Sequence, residues 1–92
     1  MKQRKHRSSL IIFKEILEAI KRNREATISR IATEANIPHS RLKKQLERMV
    51  KAGVVIEINS GSRKCYDLTE KGEKVLRMLK EIESFLSTLG LI

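Results

Sequence analysis

The sequence predicts a mainly α fold with one small β-hairpin and a long C-terminal helix. Three observations predict it. Apolar residues recur at helical spacing in four separate stretches. One β-branched run, VVIEI (54–58), is followed by the turn-forming cluster NSGS (59–62) and the alternating run RKCYDL (63–68), the pattern of a hairpin. The chain has 92 residues, enough for one domain, and only 3% of them are aromatic, so its core must be built of Ile, Leu and Val.

Residues 1–8 form a basic arm with no apolar period. Ser8 or Ser9 caps a first helix that runs to about Arg22, with Leu10, Phe13, Ile16, Leu17 and Ile20 on one stripe. Ile11 falls off that stripe, either as a lone exposed apolar residue or as part of a partner contact. Residues 21–26 are a charged connection. Thr27 is the N-cap of a short second helix whose buried stripe is Ile28, Ile31, Ala32 and Ala35. Asn36 tolerates the left-handed conformation that ends many helices. Ile37 and Pro38 lead into a third helix that stops at Gly53, with its apolar seam at Leu42, Leu46, Met49 and Val50. After the hairpin, Thr69 caps a fourth helix, with Glu70 in its first turn where the helix dipole favours negative charge. That helix runs to about Leu89, and Gly90 ends it.

The net charge is +9 and the pI about 10.1, which suits a polyanionic partner: nucleic acid first, an anionic membrane surface second. The excess is not evenly spread. Residues 1–9 carry Lys2, Arg4, Lys5 and Arg7, and residues 38–52 carry five cations against one carboxylate. The hairpin adds Arg63 and Lys64, whereas residues 69–92 carry four of each sign and are neutral. A generic basic surface would not segregate in this way.

Two short helices joined through Asn36-Ile37-Pro38 make a helix-turn-helix. In that motif the second helix lies in a DNA major groove and its N-terminal residues reach base edges. ISRIATEANIPHSRLKKQLERMVKAGVV resembles the helix-turn-helix of winged-helix proteins, and YDLTEKG (66–72) resembles the junction after their wing. Over residues 9–89 the chain is similar to small archaeal winged-helix regulators and chromatin-associated proteins with a dimerising C-terminal helix. The resemblance implies DNA binding by the third helix and the hairpin wing, and dimerisation through the last helix. It divides the chain into a basic arm (1–8), a winged-helix domain (9–69) and a dimerisation helix (70–92). Pro38 departs from the many relatives with Ser or Thr there; it cannot cap by side chain, though it suits a helix start.

His39, Ser40, Arg41 and Lys44 are the candidates for base edges or nearby phosphates, Arg41 and Lys44 foremost because such cations suit guanine O6 and N7. Lys43, Arg48, Arg30, Arg63 and Lys64 are candidates for phosphates, which set register. The arm would add phosphate contacts or enter a minor groove. In the last helix Val75, Leu79, Ile82, Leu86 and Leu89 follow a heptad seam. Val75, Leu76 and Leu79 are expected to rest on the domain, while Ile82 to Leu89, with Phe85 beside them, would project into water unless a second copy covers them. The dimerisation residues are therefore Leu79, Ile82, Phe85, Leu86 and Leu89.

Other classes fit less well. One cysteine excludes an intrachain disulfide and points to a reducing interior, and no apolar run approaches the length that spans a bilayer. A soluble, cytoplasmic and nucleoid-associated protein is expected. Cys65, His6 and His39 lack the close spacing of metal ligands. There is no phosphate-binding loop, dinucleotide fingerprint or catalytic triad, so neither an enzyme nor a cofactor is expected, and no segment for a small-molecule effector is evident. Tyr66 and Phe85 give no stacking platform for single-stranded RNA. A protein-interaction module is kept alive by Ile11 and the last helix. Within DNA binding, a site-specific regulator and an architectural protein both require the basic face.

Overall fold

Local capping chemistry places three of the four helices where they begin. In the computed structural model, which describes residues 7–92, the elements are α1 (Ser9–Arg22), β1 (Ala26–Thr27), α2 (Ile28–Ala35), α3 (His39–Lys51), β2 (Val55–Ser60), β3 (Arg63–Leu68) and α4 (Glu70–Thr88). Ser8 caps α1 by accepting from the Ile11 amide at 3.2 Å, Thr27 caps α2 through the Arg30 amide at 3.2 Å, and Thr69 caps α4 through the Gly72 amide at 3.0 Å. Asn36 ends α2 at φ 55°, and the Ile37 amide reaches back to the Ala32 carbonyl at 3.0 Å, the bonding of a Schellman end. Pro38 starts α3 without a side-chain cap.

The core lies where α1, α2 and α3 meet one face of the sheet. Ile16, Leu17, Ile20, Ile31, Leu42, Leu46 and Val55 are its most deeply enclosed side chains. One expectation for α1 is corrected. Leu10 is 58% exposed, and the N-terminal core position of the helix is taken by Ile12. Ile12 is one turn before Ile16, and Leu10 is on the same side of the helix as Leu17 but two turns before it; there Leu10 lines a groove with Leu79 and Ile82 of α4 instead of entering the core.

The hairpin is part of a three-stranded antiparallel sheet in the order β1-β3-β2. The short strand β1 was hidden in the charged connection; it pairs Ala26 with Tyr66 and Thr27 with Cys65. β2 and β3 pair from Val55 with Leu68 to Ser60 with Arg63. Asn59 and Ser60 therefore extend the strand, and the turn is only Gly61-Ser62. Gly61 has φ +66°, the conformation that two-residue hairpin turns require.

Helix α4 is bolted to the α3–β2 junction. The Thr69 amide donates to the Val54 carbonyl at 3.1 Å and the Thr69 hydroxyl to the Gly53 carbonyl at 2.6 Å. Lys71 Nζ donates to the Ala52 carbonyl at 3.1 Å. This close approach explains Gly72: a Cβ there would lie 2.0 Å from the Val54 carbonyl oxygen. Helix α4 then runs antiparallel to α1, with Lys21 on Glu73 at 2.7 Å and Lys14 on Glu83 at 2.6 Å. Leu76 is buried between them, and Val75 and Leu79 are partly buried against the core, as their spacing predicts. No helix among the described residues is long and apolar enough to cross a membrane.

Candidate nucleic-acid interface

Helix α3 is divided by its sequence into two faces. Leu42, Leu46 and Met49 recur at intervals of four and three and are buried, with Val50 half-buried at the margin. His39, Ser40, Arg41, Lys43, Lys44, Glu47, Arg48 and Lys51 are all exposed. Among the described residues, none of the five cations of this helix takes part in an ion pair. Glu47 shares a shallow hollow with Lys44, Arg48 and Lys51 without pairing to any of them within 4.0 Å. Elsewhere among the described residues, Arg7, Lys14, Lys21, Arg22, Arg30 and Lys64 meet carboxylates, while Arg24, Arg63, Lys71, Lys74, Arg77 and Lys80 do not, so α3 is set apart by having all of its cations unpaired on one exposed face. A row of like charges left unpaired on one helix repels itself, and the partner that relieves this is an anion.

The second cationic region lies between the α1–α2 connection and the turn end of β3. Arg30 and Arg63 line one hollow together with Asn23, Arg24, Glu25, Ala26 and Thr27. The pairing of β1 with β3 makes this hollow, because it brings the α1–α2 connection against the hairpin. Arg24 is thus a site residue that the sequence reading missed; its only signal was a positive charge in an unassigned connection. Arg30 remains 61% exposed and touches Glu34 at 3.7 Å. The Glu34 carboxyl is held below its ordinary range by an Asn23 hydrogen bond and by Arg22, whose Nη2 lies 2.9 Å away. Lys64 reaches Glu57 across the strands at 3.4 Å, so its charge is partly compensated, whereas Arg63 at the hairpin tip has no such partner among the described residues.

The nine residues singled out for DNA contact are all exposed. Six of them share α3, and Arg30 and Arg63 share the hollow. Lys64 is exposed on β3, next to Arg63 in sequence. Cys65 is buried in the central strand with its thiol free, while His39 is exposed on α3; His6 lies outside the described residues. Burial raises the phenol pKa of Tyr66, its neighbour in β3.

The residues assigned to dimerisation line a different part of the molecule. Ile82, Phe85 and Leu89 are 55%, 64% and 54% exposed, and Leu86 is half-buried. The distal part of α4 does not stand clear of its own domain: Leu79, Ile82 and Leu86 share an apolar groove with Leu10, Ile11 and Ile92. Lys14 and Glu83 tie the two walls together, and that hydrogen bond to Glu83 raises the Lys14 pKa. Leu10 and Ile92 are the residues of this face that helical periodicity alone did not find.

A model of the winged helix-turn-helix family matches residues 6–87. No curated protein matches the chain. Among solved structures, Sso10a-2, a DNA-binding protein from Sulfolobus solfataricus, superimposes with a TM-score of 0.74 at 29% identity, over 90% of this chain and 85% of that one. AF1382 from Archaeoglobus fulgidus gives 0.72 at 28% identity, over 80% of this chain and 86% of that one. The MarR family transcriptional regulator SPO1453 from Silicibacter pomeroyi DSS-3 gives 0.70 at 19% identity, over 84% of this chain and 56% of that one, a likeness of fold.

Proposed function

The chain belongs to the winged helix-turn-helix family, and from that premise we propose that it is a sequence-specific regulator of transcription that binds double-stranded DNA as a homodimer. Helix α3 enters the major groove, and the β2–β3 wing lies along the backbone. The observation that carries this is the row of cations on α3, unpaired within the fold and opposite a buried seam. Its N-terminal residues His39, Ser40, Arg41 and Lys44 are presented to base edges, as the first turns of a recognition helix are. Lys43 and Arg48 flank them on phosphates. Arg30, Arg63 and Lys64 hold the backbone nearer the sheet, where they fix register without reading sequence. The likeness to an archaeal protein described as DNA-binding, over 90% of this chain, supports the same reading. The protein would work in the cytoplasm, at the nucleoid.

The dimer is supported by the apolar face of α1 and α4. Leu10, Ile11, Ile82, Phe85 and Leu89 are each more than two-fifths exposed. A contiguous face of that kind on a soluble monomer is a contact site. A two-fold pair would present two α3 helices to two half-sites.

The test is selection from a random duplex pool, followed by titration of the enriched site. A dimer touching about 6–10 phosphates should lose roughly 10³–10⁵ in affinity between 50 and 200 mM salt. An enriched palindrome supports a regulator. Salt-sensitive binding with flat enrichment points to an architectural DNA-binding protein, and no duplex binding at low salt leaves a protein-interaction module. Arg41→Ala should cost about 1–3 kcal/mol and relax preference at one position. Unchanged affinity and preference would remove Arg41 from the base-reading set.

A further inference from the structure

We infer that Arg7 is a positioning residue for the recognition helix: it ties the turn of the helix-turn-helix to α1, and so sets how the first turn of α3 meets DNA without touching DNA itself. The inference rests on the DNA-binding reading above and deepens it. Three contacts carry it. One guanidinium nitrogen, Nη1, donates to the Ala35 carbonyl at 2.8 Å and also pairs with the Glu15 carboxylate. The other, Nη2, donates to the Asn36 carbonyl at 2.7 Å. One side chain thus joins α1, the last residue of α2 and the first residue of the turn.

The chemistry of the α2 end accounts for these partners. The last carbonyls of a helix have no partner within it and carry the negative end of its dipole. Helix α2 has no basic residue in its last turn to serve them. Arg7 supplies that charge from outside, and its planar fork lets one side chain take several acceptors at fixed angles. Glu15 balances the guanidinium and fastens it to α1. A guanidinium committed to two carbonyls and a carboxylate of its own fold has little to offer a phosphate. Arg7 therefore belongs to the scaffold and not to the phosphate contacts expected of the basic arm.

The turn needs such a brace. Asn36 stands at φ 55° and ψ 56°, in the left-handed region that most side chains avoid and asparagine tolerates. Pro38 gives α3 no side-chain cap. The seam that docks α3 begins only at Leu42, so His39, Ser40 and Arg41 precede the first residue of the helix that the core holds. The turn is what places them. Ile37 anchors it by a buried side chain, and Arg7 anchors its backbone to α1. Ser9 and Arg41 also line one small depression with Ile12, Ile37 and Gln45, so the start of α1 and the base-reading end of α3 are neighbours. A brace between α1 and Asn36 therefore acts on the residues proposed to reach base edges. Loosening it leaves every cation of α3 in place and changes only how the first turn presents them.

The experiment compares wild type, Arg7→Ala, Arg7→Lys and Glu15→Gln on the enriched duplex and on a scrambled duplex of the same length, under conditions where circular dichroism shows each variant folded. A well-placed contact to the right base discriminates by roughly 5–150-fold. Arg7→Ala should lose about tenfold of that preference while binding the scrambled duplex like wild type. Its salt slope should equal the wild-type slope, whereas removing a phosphate contact would flatten it by about one unit. Arg7→Lys keeps the charge but not the fork, and should rescue little of the preference. Glu15→Gln keeps Arg7 but frees it from α1, so it should lose preference in the same direction even where Arg7→Ala does not fold. Arg7→Ala and Arg41→Ala should be less than additive, because both act on one base contact. A purely structural role would lower binding to both duplexes alike and add fully to Arg41→Ala. That result overturns the inference, as do a flattened salt slope, full rescue by Arg7→Lys, or wild-type preference in Arg7→Ala and Glu15→Gln. If any of these accompanies wild-type duplex binding that Arg41→Ala weakens, the inference alone fails. If the wild type binds no duplex or enriches none, the regulator reading and the inference fail together.

Discussion

Gly72→Ala should destabilise the protein, although an alanine inside a helix ordinarily stabilises it. The residue is in the first turn of α4, where replacing Gly by Ala is worth about 1 kcal/mol in helix propensity. Against that stands geometry: the new methyl would lie 2.0 Å from the Val54 carbonyl oxygen and 3.0 Å from its carbon. Ordinary contact needs about 3.5 Å, so α4 or the α3–β2 junction must move by more than an ångström. Both sides are backbone, and no rotamer relieves the clash. The movement also pulls on the Thr69–Val54 and Thr69–Gly53 hydrogen bonds. Overpacking costs about 1–3 kcal/mol and each lost hydrogen bond about 1. After the propensity gain is subtracted, a net loss of about 2–4 kcal/mol remains. At about 4–8 °C per kcal/mol for a domain of this size, the melting temperature should fall by roughly 10–30 °C. Thermal and urea unfolding followed by circular dichroism measure it. A melting temperature equal to or above wild type would refute the close approach of α4 to Val54.

Leu86→Glu places a charge in the α1–α4 apolar groove; light scattering should show the wild type at twice the chain mass and the variant as a monomer with weaker DNA binding. Leu10→Glu should act alike if α1 shares the contact, and a monomeric wild type at micromolar concentration would sink the dimer. Arg63→Ala should weaken all duplexes equally and lower the salt slope by about one unit, whereas Lys64→Ala should do less, because Glu57 already holds that charge; the reverse order would contradict the placement of the wing. The Lys14 pKa is raised above its ordinary 10.5, chiefly by Glu83. The stability this ion pair contributes is complete below the unfolded-state value and is lost as pH rises through the higher folded-state value. Melting temperatures measured from about pH 9.5 to 12 should therefore fall more steeply for wild type than for Glu83→Gln, and parallel curves would show that the pair contributes nothing.

What sequence alone could show was set by the range of each interaction. The caps at Thr27 and Thr69 and the left-handed Asn36 are local: each depends on a side chain and backbone groups within a few residues. The faces of α3 were equally legible, because its seam and its cations differ sharply in chemistry. Leu10 was misplaced for the opposite reason, since α1 is apolar on several sides near its start and periodicity cannot choose among them. β1 has two residues and no pattern; only its partner β3 defines it. Arg24 and Arg7 acquire meaning from contacts with residues far along the chain. Gly72 could be read as part of a family junction, but the reason for it is the Val54 carbonyl.

The junction at Gly72 also bears on how two copies would act on one DNA. The start of α4 is held to the end of α3 through Ala52, Gly53 and Val54. Helix α4 is then held along α1 by Lys21–Glu73 and Lys14–Glu83. There is no flexible linker between the helix that would read DNA and the helix that would pair the copies. Pairing through α4 therefore fixes the separation and tilt of two recognition helices together. Half-sites on one face of the duplex lie about 34–36 Å apart, or at multiples of that distance. A rigid dimer accepts one such spacing and is intolerant of others. Inserting five base pairs between half-sites rotates one by about half a turn of the duplex. It should abolish cooperative occupation while leaving the contacts of a single half-site intact. Equal affinity for the natural and the five-base-pair-extended spacing would mean that α4 does not couple the two readers.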